Sequence, residues 1–290
     1  MLYTEIMEIL NKEQLADNTI ALSGYSGKKL IHALQSLTGL ASKSGDDIAY
    51  LEIGVFQGLT LTSVASVNPK TQCFGVDNFS QFDPSDKNFS LVRSRLKEHT
   101  IGNGSIINED FEDALLNLKD HIGDNKIGVY FIDGPHDYRS QYLCLEYMKP
   151  YLSDDAIIII DDSNYSHVRR ANADWLRANP DYTLIFEEYT ECHPQNMNKQ
   201  KELDAREGWW DGVNIIYRDT SLELDRCYPS IDEGVDMFYK DHSVHQAKYA
   251  AYAPQMLKAF SYGLLPAIAY CFYFFFSPKP LKKRFKTGNF

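Results

Sequence analysis

Short apolar runs alternate with helix-type patterns through the middle of the chain. The runs are four to six residues long and rich in β-branched residues, as in strands buried on both faces. Strands that alternate with helices predict a doubly wound, seven-stranded parallel α/β sheet. The predicted strands are Ile48–Ile53, Cys73–Val76, Ser105–Asn108, Val129–Ile132, Ala156–Ile160, Tyr182–Glu187 and Val213–Tyr217. The predicted helices between them are Leu59–Val67, Phe89–Thr100, Phe111–Leu118, Arg139–Tyr151 and Ser166–Asn179.

The α/β pattern occupies residues 48–218 and predicts a division into three parts. Residues 1–47 form a helical preface, in which Leu30, Leu34, Leu37 and Ala41 make an apolar stripe at helical spacing. Residues 219–290 form a C-terminal appendage. The long segment between the last two strands contains a charged run, 198–207, and is predicted to be a functional or mobile loop.

Composition narrows the class of protein. An apolar content of 44% is ample for a core, and a net charge of −11 disfavours a nucleic-acid partner, because phosphates require a basic surface. Five scattered cysteines indicate reduced thiols and a cytosolic setting. The N-terminus lacks the basic start and apolar core of a secretory signal. We therefore expect a cytoplasmic globular protein, with a homo-oligomer as a possible assembly.

The first predicted strand ends in a glycine-bracketed turn, YLEIGVFQGLT. Gly54 and Gly58 let the backbone approach a ligand closely, and the following helix presents amide groups that bind anionic or polar atoms. Asp77 ends the second strand, where a carboxylate accepts hydrogen bonds from both ribose hydroxyls of a nucleoside. Glu52, Gly54, Gly58 and Asp77 are therefore the predicted cofactor-binding residues. The alternative is an ordinary tight turn.

Three aspartates follow two neighbouring predicted strands. Asp133 follows the fourth strand, and Asp161 and Asp162 follow the fifth. Because the carboxyl ends of parallel strands share one edge of a sheet, we expect these side chains to converge. Three carboxylates repel one another unless a proton or a cation intervenes, so the pattern favours a hard divalent cation with oxygen ligands. The alternative is that the aspartates cap the following helices.

These motifs give the chain its resemblance to a known family. LEIGVFQGLT, GVDNF, NED at 108–110, FIDGPHDY and YLSDDAIIIIDDSN are similar to segments of the class I S-adenosylmethionine-dependent methyltransferases, over about residues 25–218. The closing pattern resembles the metal-dependent small-molecule O-methyltransferases of the macrolide-sugar and catechol types. The resemblance implies a Rossmann-like sheet with an antiparallel last strand. It also implies S-adenosylmethionine as the cofactor and an O-methyl transfer to a hydroxylated small molecule, sugar or glycan.

The resemblance also assigns roles to individual residues. It implies that Mg²⁺ or a similar divalent cation is held by Asp133, Asp161 and Asp162, with Asp133 also bordering the cofactor. It implies that Asp77 binds the cofactor ribose and that Asp110 binds the adenine edge. The chain departs from the family at Pro135, where some relatives carry a catalytic aspartate. It departs again at residues 154–155, two aspartates in place of the usual glycine pair.

Methyl transfer to oxygen requires a base near the cation site. His136 is the first candidate, because an imidazole titrates near neutral pH, and Asp137 is the reserve candidate. Trp209 and Trp210 are predicted to form a wall against the acceptor, since large aromatic side chains exclude water and stack on rings. His193, in the same long segment, is a weak candidate for a second metal site because it has no partner at ligand spacing.

Two other functions remain open at this stage. An NAD- or nucleotide-sugar-linked oxidoreductase would use a similar sheet, but the third glycine of its fingerprint and a Tyr-x-x-x-Lys pair are missing. A non-catalytic cofactor-binding module would keep the sheet and lose the chemistry.

The C-terminal region has an uncharged apolar stretch, 259–278, followed by a basic end. Glycine and proline interrupt the stretch, and the basic end disfavours a spanning helix by the positive-inside tendency. An interfacial segment on an anionic membrane, packing on the core and an oligomer interface are the alternatives.

Overall fold

The computed structural model describes residues 2–12, 22–83, 86–190, 193–194, 197–230, 260, 262–265 and 268. Its centre is a seven-stranded sheet in the order β3-β2-β1-β4-β5-β7-β6. Strands β1 to β5 are parallel, and β7 pairs antiparallel with both β5 and β6. The strands are β1 (Ile48–Ile53), β2 (Cys73–Val76), β3 (Gly104–Ile107), β4 (Lys126–Ile132), β5 (Leu152–Ile160), β6 (Tyr182–Glu188) and β7 (Val213–Arg218).

Helices cover both faces of the sheet and connect its parallel strands. They are α1 (Leu2–Leu10), α2 (Lys28–Ala41), α3 (Leu59–Val67), α4 (Asn88–His99), α5 (Phe111–Leu116), α6 (Leu118–Ile122), α7 (Tyr138–Met148), α8 (Ser166–Ala178) and α9 (Lys199–Glu207). Short 3₁₀ turns follow α2 at Ser42–Ser44 and α7 at Lys149–Tyr151.

The sheet is buried on both faces because alternate side chains of a strand point in opposite directions. In β5, Ile158 and Ile160 pack with the helices from α5 to α8, whereas Ile157 and Ile159 pack with α1 to α4. Two apolar cores therefore enclose the sheet, and the polar residues that follow the strands collect at its edge. This arrangement explains the continuous apolar runs in the sequence.

The predicted fold class is confirmed, including the antiparallel last strand. Helix α9 was not predicted, and it lies where the charged run had predicted a loop. Asn198 caps this helix by accepting a hydrogen bond from the Lys201 amide, and Ala205 is its one buried residue. A helix without an apolar stripe carries no periodic signal in the sequence. The helix predicted over 111–118 is in fact two helices, α5 and α6, which meet at Asn117.

The chain separates into two compact units, residues 1–232 and 233–290. The sheet and all its helices lie in the first unit, and the predicted boundaries at residues 47 and 218 stay predictions. Most of the apolar stretch 259–278 lies outside the described residues, of which Phe260, Tyr262, Leu264, Leu265 and Ile268 are exposed. Within the part of the chain that the structure describes, no helix has the length and apolar character needed to cross a membrane.

Candidate active site

The first residues after four strands continue the backbone ladder at the carboxyl edge of the sheet. Each donates its amide to a carbonyl of the neighbouring strand, so their side chains start from fixed positions on one edge. The pairs are Gly54 N to Val76 O, Asp77 N to Ile107 O, Asp133 N to Ile53 O and Asp161 N to Ile132 O, at 2.9–3.1 Å.

The turn after β1 requires glycine at two positions. Gly54 has φ +87°, and a Cβ there would lie 1.8 Å from the carbonyl oxygen of Asp133. Gly58 has φ +77°, and its Cβ would lie 2.7 Å from Val92 Cγ1. The glycine pair therefore brings the turn against the end of β4, and Gly58 opens α3, whose first amides face the same edge.

Asp77 holds this turn in place. Its Oδ2 accepts hydrogen bonds from the amides of Val55 and Phe56, both at 2.8 Å, and its Oδ1 accepts from Phe79 at 2.7 Å. Three amide donors to one carboxylate fix a loop in which Phe56 and Phe79 adopt positive φ. The predicted ribose contact of Asp77 stays a prediction, and the structure adds a second role for this side chain in shaping the turn.

Glu52 is fully buried beneath the turn. Its carboxyl accepts hydrogen bonds from Tyr50 Oη at 2.6 Å and from Thr60 Oγ1 at 3.0 Å. Burial raises the pKa of Glu52 to about 8, against the smaller lowering effect of these hydrogen bonds, so the carboxyl is mostly protonated at neutral pH. Glu52 therefore links β1 to α3 through the hydrogen bond from Thr60. Its contact with the cofactor stays a prediction.

Asp110 and Asp137 each cap a helix. Asp110 Oδ1 accepts from the Glu112 amide at 3.0 Å, and Asp110 Oδ2 accepts from Asn78 Nδ2 at 3.3 Å, beside the Asp77 loop. Asp137 Oδ1 accepts from the Ser140 amide at 3.0 Å. Both carboxylates therefore have a structural role as helix caps. The adenine contact of Asp110 and the role of Asp137 as reserve base stay predictions.

The aspartates after β4 and β5 converge around His136. His136 Nε2 lies 2.5 Å from Asp162 Oδ2, and Asp133, His136 and Asp162 each offer one ligand atom within 4.8 Å of the others. Asp161 is not in this group; its Oδ1 accepts a hydrogen bond from the Asp162 amide at 2.9 Å. That bond supports Asp162 at φ +54°, a conformation that aspartate tolerates better than most residues. The structure thus brings Asp133 and Asp162 together around His136, and Asp161 stays outside this group of possible ligands.

Asp211 belongs to the same group of charges, although the sequence analysis did not select it. The turn 161–164 is hydrogen-bonded to the turn before β7, through Ser163 N to Gly212 O and Asn164 N to Asp211 O. Gly212 has φ +83°, and a Cβ there would lie 2.7 Å from Asn164 Oδ1. We call Asp133, Asp161, Asp162 and Asp211 the carboxylate cluster. Asp211 could have been selected from the sequence by the glycine that follows it, Gly212, because a glycine just before a predicted strand indicates a tight turn.

His193 joins the carboxylate cluster from the segment before α9. It is buried, and its Nε2 lies 3.9 Å from Asp211 Oδ2. Along the sequence, His193 has no partner at ligand spacing. The fold brings Asp211 next to it, although 18 positions separate the two residues.

Four neighbouring carboxylates perturb one another's protonation. Burial, and then the charges of Asp161 and Asp162, raise the pKa of Asp133 well above its ordinary value. Burial and Asp162 raise the pKa of Asp161 and of Asp211 in the same way. Asp162 differs: burial raises its pKa, but the charge and hydrogen bond of His136 outweigh burial and lower it to about 2. Protons or a cation would relieve the repulsion among the other three.

Aromatic rings border the cofactor turn. Tyr25 stacks on Phe56 at 5.6 Å between ring centroids, Phe56 meets Phe82 edge-on at 6.4 Å, and Trp210 lies 6.1 Å from Tyr25. We call these four residues the aromatic cluster; Tyr25 and Phe82 are about half exposed. His193 meets Trp210 edge-on at 6.2 Å, which links the aromatic cluster to the carboxylate cluster.

Trp209 points elsewhere and does not belong to the aromatic cluster. It is buried in the core and packs against Phe186 of β6 at 5.0 Å. Of the two tryptophans predicted to face the acceptor, Trp210 alone therefore lies beside the cofactor turn.

The fold and the site together define the class of protein. A sheet in this order, with β7 antiparallel and a glycine turn after β1, is the fold of the class I S-adenosylmethionine-dependent methyltransferases. Residues 51–163 match a protein family described as "Methyltransferase domain". That segment, from the end of β1 to the turn after β5, is a methyltransferase domain. The match favours a methyltransferase over the oxidoreductase alternative.

One relative and several solved structures are similar to this chain. An uncharacterized protein of Acanthamoeba polyphaga mimivirus is 24% identical over 131 residues, which cover 45% of this chain and 58% of the relative. An O-methyltransferase of Bacillus cereus in complex with SAH has 14% identity and a TM-score of 0.48, with 75% of this chain and 90% of that chain covered. An O-methyltransferase of Streptomyces achromogenes involved in tomaymycin synthesis, in complex with SAM, has 16% identity and a TM-score of 0.48, with 75% and 89% covered.

Proposed function

We propose that this protein transfers the methyl group of S-adenosylmethionine to a hydroxyl group of a small molecule, sugar or glycan, with the help of a divalent cation such as Mg²⁺. The observation that carries the proposal is the contact between two parts of the site. The glycine turn that would face the cofactor packs, at Gly54, against the backbone of Asp133, the first residue of the carboxylate cluster. A methyl donor at the turn and an acceptor at the cluster would therefore be neighbours.

The cofactor would be held by groups from three strand ends. The turn amides between Gly54 and Gly58 and the start of α3 would face its polar atoms, and Asp77 would accept its ribose hydroxyls. Asp110 would lie at the adenine edge. When bound, the sulfonium of the cofactor supplies an electrophilic methyl group.

The cation would be held by Asp133 and Asp162, with Asp161 adding charge and supporting the Asp162 backbone. The carboxylate cluster fits such an ion, because oxygen ligands and buried negative charge suit a hard divalent cation. When bound, the cation lowers the pKa of the acceptor hydroxyl and fixes its direction. The raised pKa values of Asp133 and Asp161 support this proposal, since burial and then the neighbouring carboxylates disfavour the charged forms, and a cation would offset both effects.

His136 would take the proton of the acceptor hydroxyl. In the transfer, an oxygen–methyl bond forms as the sulfur–methyl bond breaks, and the hydroxyl proton moves to the imidazole. Since Nε2 faces Asp162, His136 in its neutral form would take the proton at Nδ1, and Asp162 would stabilise the resulting imidazolium. We prefer His136 to Asp137 because the Asp137 carboxylate caps α7 and its pKa is lowered, burial being outweighed by hydrogen bonds from Ser140.

The aromatic cluster would hold the body of the acceptor. Aromatic faces stack on planar rings and on the C–H faces of sugars. Two of its four rings are half exposed, and through His193 it adjoins the carboxylate cluster. A ring that carries adjacent hydroxyls would therefore meet both surfaces at once, which favours a sugar or a catechol-like acceptor.

The test is methyl transfer from labelled S-adenosylmethionine to a panel of sugars and catechols by the full-length protein, with Mg²⁺ or with excess chelator. We expect transfer that requires the cation. Asp162→Asn keeps the left-handed backbone, since asparagine tolerates it, and should lower turnover by about 100-fold or more while cofactor affinity is retained. Asp154→Asn, at the opposite and exposed end of β5, is the matched control. Full activity in chelator would show that the carboxylates have no metal role.

A further inference from the structure

Asp211 lies in the turn before β7, outside the segment that matches the methyltransferase family. Its side chain is 0% exposed. Asp211 Oδ1 accepts a hydrogen bond from Asn164 Nδ2 at 2.6 Å, and the Asp211 carbonyl accepts from the Asn164 amide at 3.1 Å. Asn164 Nδ2 also donates to Thr190 Oγ1 at 2.5 Å, so one amide joins the turn after β5 to two parts of the segment between β6 and β7.

The other oxygen of Asp211 is oriented towards the charged site. Among the residues that the structure describes, none donates a hydrogen bond to Asp211 Oδ2. This atom lies 3.9 Å from His193 Nε2, and Asp211 interacts directly with the carboxylate of Asp162. An ionised carboxylate oxygen that is buried beside a second carboxylate is unfavourable unless a proton or a positive charge compensates it.

Four carboxylates form the cluster, and His136 and His193 are the imidazoles placed against it. The nearest arginine on the adjoining helix, Arg206, lies over the Trp210 ring at 4.7 Å and pairs with Glu202 at 2.9 Å. A divalent cation at Asp133 and Asp162 would lower the energy of Asp211 as well, because the cation would attract the neighbouring Asp211 carboxylate.

We propose that Asp211 is a positioning residue of the cation site, which strengthens divalent-cation binding by its charge and by holding Asp162 in place. The inference rests on the proposed function and extends it to the segment between β6 and β7. It makes the turn before β7 part of the metal site, so ion binding also stabilises this turn and the adjoining end of α9. Groups that orient a metal ligand typically contribute about 10- to 100-fold to metal affinity.

The experiment is a titration of the full-length protein with Mn²⁺, followed by the electron paramagnetic resonance signal of the free ion. Asp211→Asn should bind Mn²⁺ about 10- to 100-fold more weakly than the wild type. Asp204→Asn, an exposed change on α9, should leave the affinity within twofold. Asp211→Asn should also unfold at the same temperature as the wild type or higher when no cation is present, because asparagine keeps an acceptor for Asn164 Nδ2 and cannot ionise beside Asp162. A purely structural Asp211 would instead give a lower melting temperature and unchanged Mn²⁺ affinity.

The outcomes separate this inference from the proposed function. If the wild type and Asp211→Asn bind Mn²⁺ equally, the role of Asp211 is overturned and the proposed metal site stands. If the wild type binds no Mn²⁺ at millimolar concentration, the metal site itself is wrong. If Asp211→Asn fails to fold, trypsin cleavage of the wild type still tests the inference. Mn²⁺ must slow trypsin cleavage in α9, at Lys199 or Arg206, more than cleavage at Arg93 in α4, and equal rates would overturn the inference.

Discussion

Glu52 gives the fold a pH dependence that one substitution should remove. In the unfolded chain this carboxyl ionises near 4.5, and in the folded protein burial raises its pKa to about 8. Between these values the folded state keeps a proton that the unfolded state has released. The free energy of unfolding must therefore fall as pH rises from 4.5, and the fall is complete near pH 8. One pKa unit corresponds to about 1.4 kcal/mol, so this group alone should cost roughly 3 kcal/mol by pH 7.

Glu52→Gln has nearly the shape of the protonated carboxyl and cannot ionise. Its amide oxygen keeps an acceptor for Tyr50, and any constant cost of the new NH₂ group cancels when two pH values are compared. Both proteins are unfolded in urea at pH values from 5 to 8. The free energy of unfolding of Glu52→Gln, relative to that of the wild type, should rise by about 3 kcal/mol or more over this range. Glu98→Gln, an exposed change on α4, is the control. Parallel curves for Glu52→Gln and the wild type would refute the reasoning.

Two further substitutions test the turn and the base. Gly54→Ala places a Cβ 1.8 Å from the Asp133 carbonyl and should lower both cofactor affinity, measured by calorimetry, and melting temperature. Gly102→Ala has a similar positive φ with open space around it, so an equal loss there would show that φ alone matters. His136→Ala should lower turnover about 10²- to 10⁴-fold with cofactor affinity unchanged, with His99→Ala as control. Turnover within threefold of the wild type would move the role of base to Asp137.

The strands were predictable because each buried strand is a continuous apolar run. The bounds of β1, β2 and α3 agree with the sequence-based prediction, since glycine and aspartate mark the ends of these elements. Helix α9 was not predictable by the same reasoning, because a mostly solvent-exposed helix has no apolar stripe.

The sequence predicted those site residues that directly follow a strand. Asp77, Asp133, Asp161 and Asp162 follow apolar runs, and parallel strands bring such residues to one edge. Asp211 precedes its strand, and it reaches the same edge because β7 is antiparallel. His193 reaches it from a segment without a regular pattern, so only the folded chain brings it next to Asp211. The partners, the cation and the cellular location remain predictions.

Equilibrium dialysis of the full-length protein against labelled S-adenosylmethionine shows whether the protein binds this cofactor. We expect saturable binding at one site per chain, displaced by unlabelled S-adenosylhomocysteine and unaffected by NAD. Gly102→Ala should bind the cofactor like the wild type, and Gly54→Ala should bind it more weakly, because only the second change disturbs the turn. Absence of saturable binding up to millimolar cofactor, or displacement by NAD, would contradict the account.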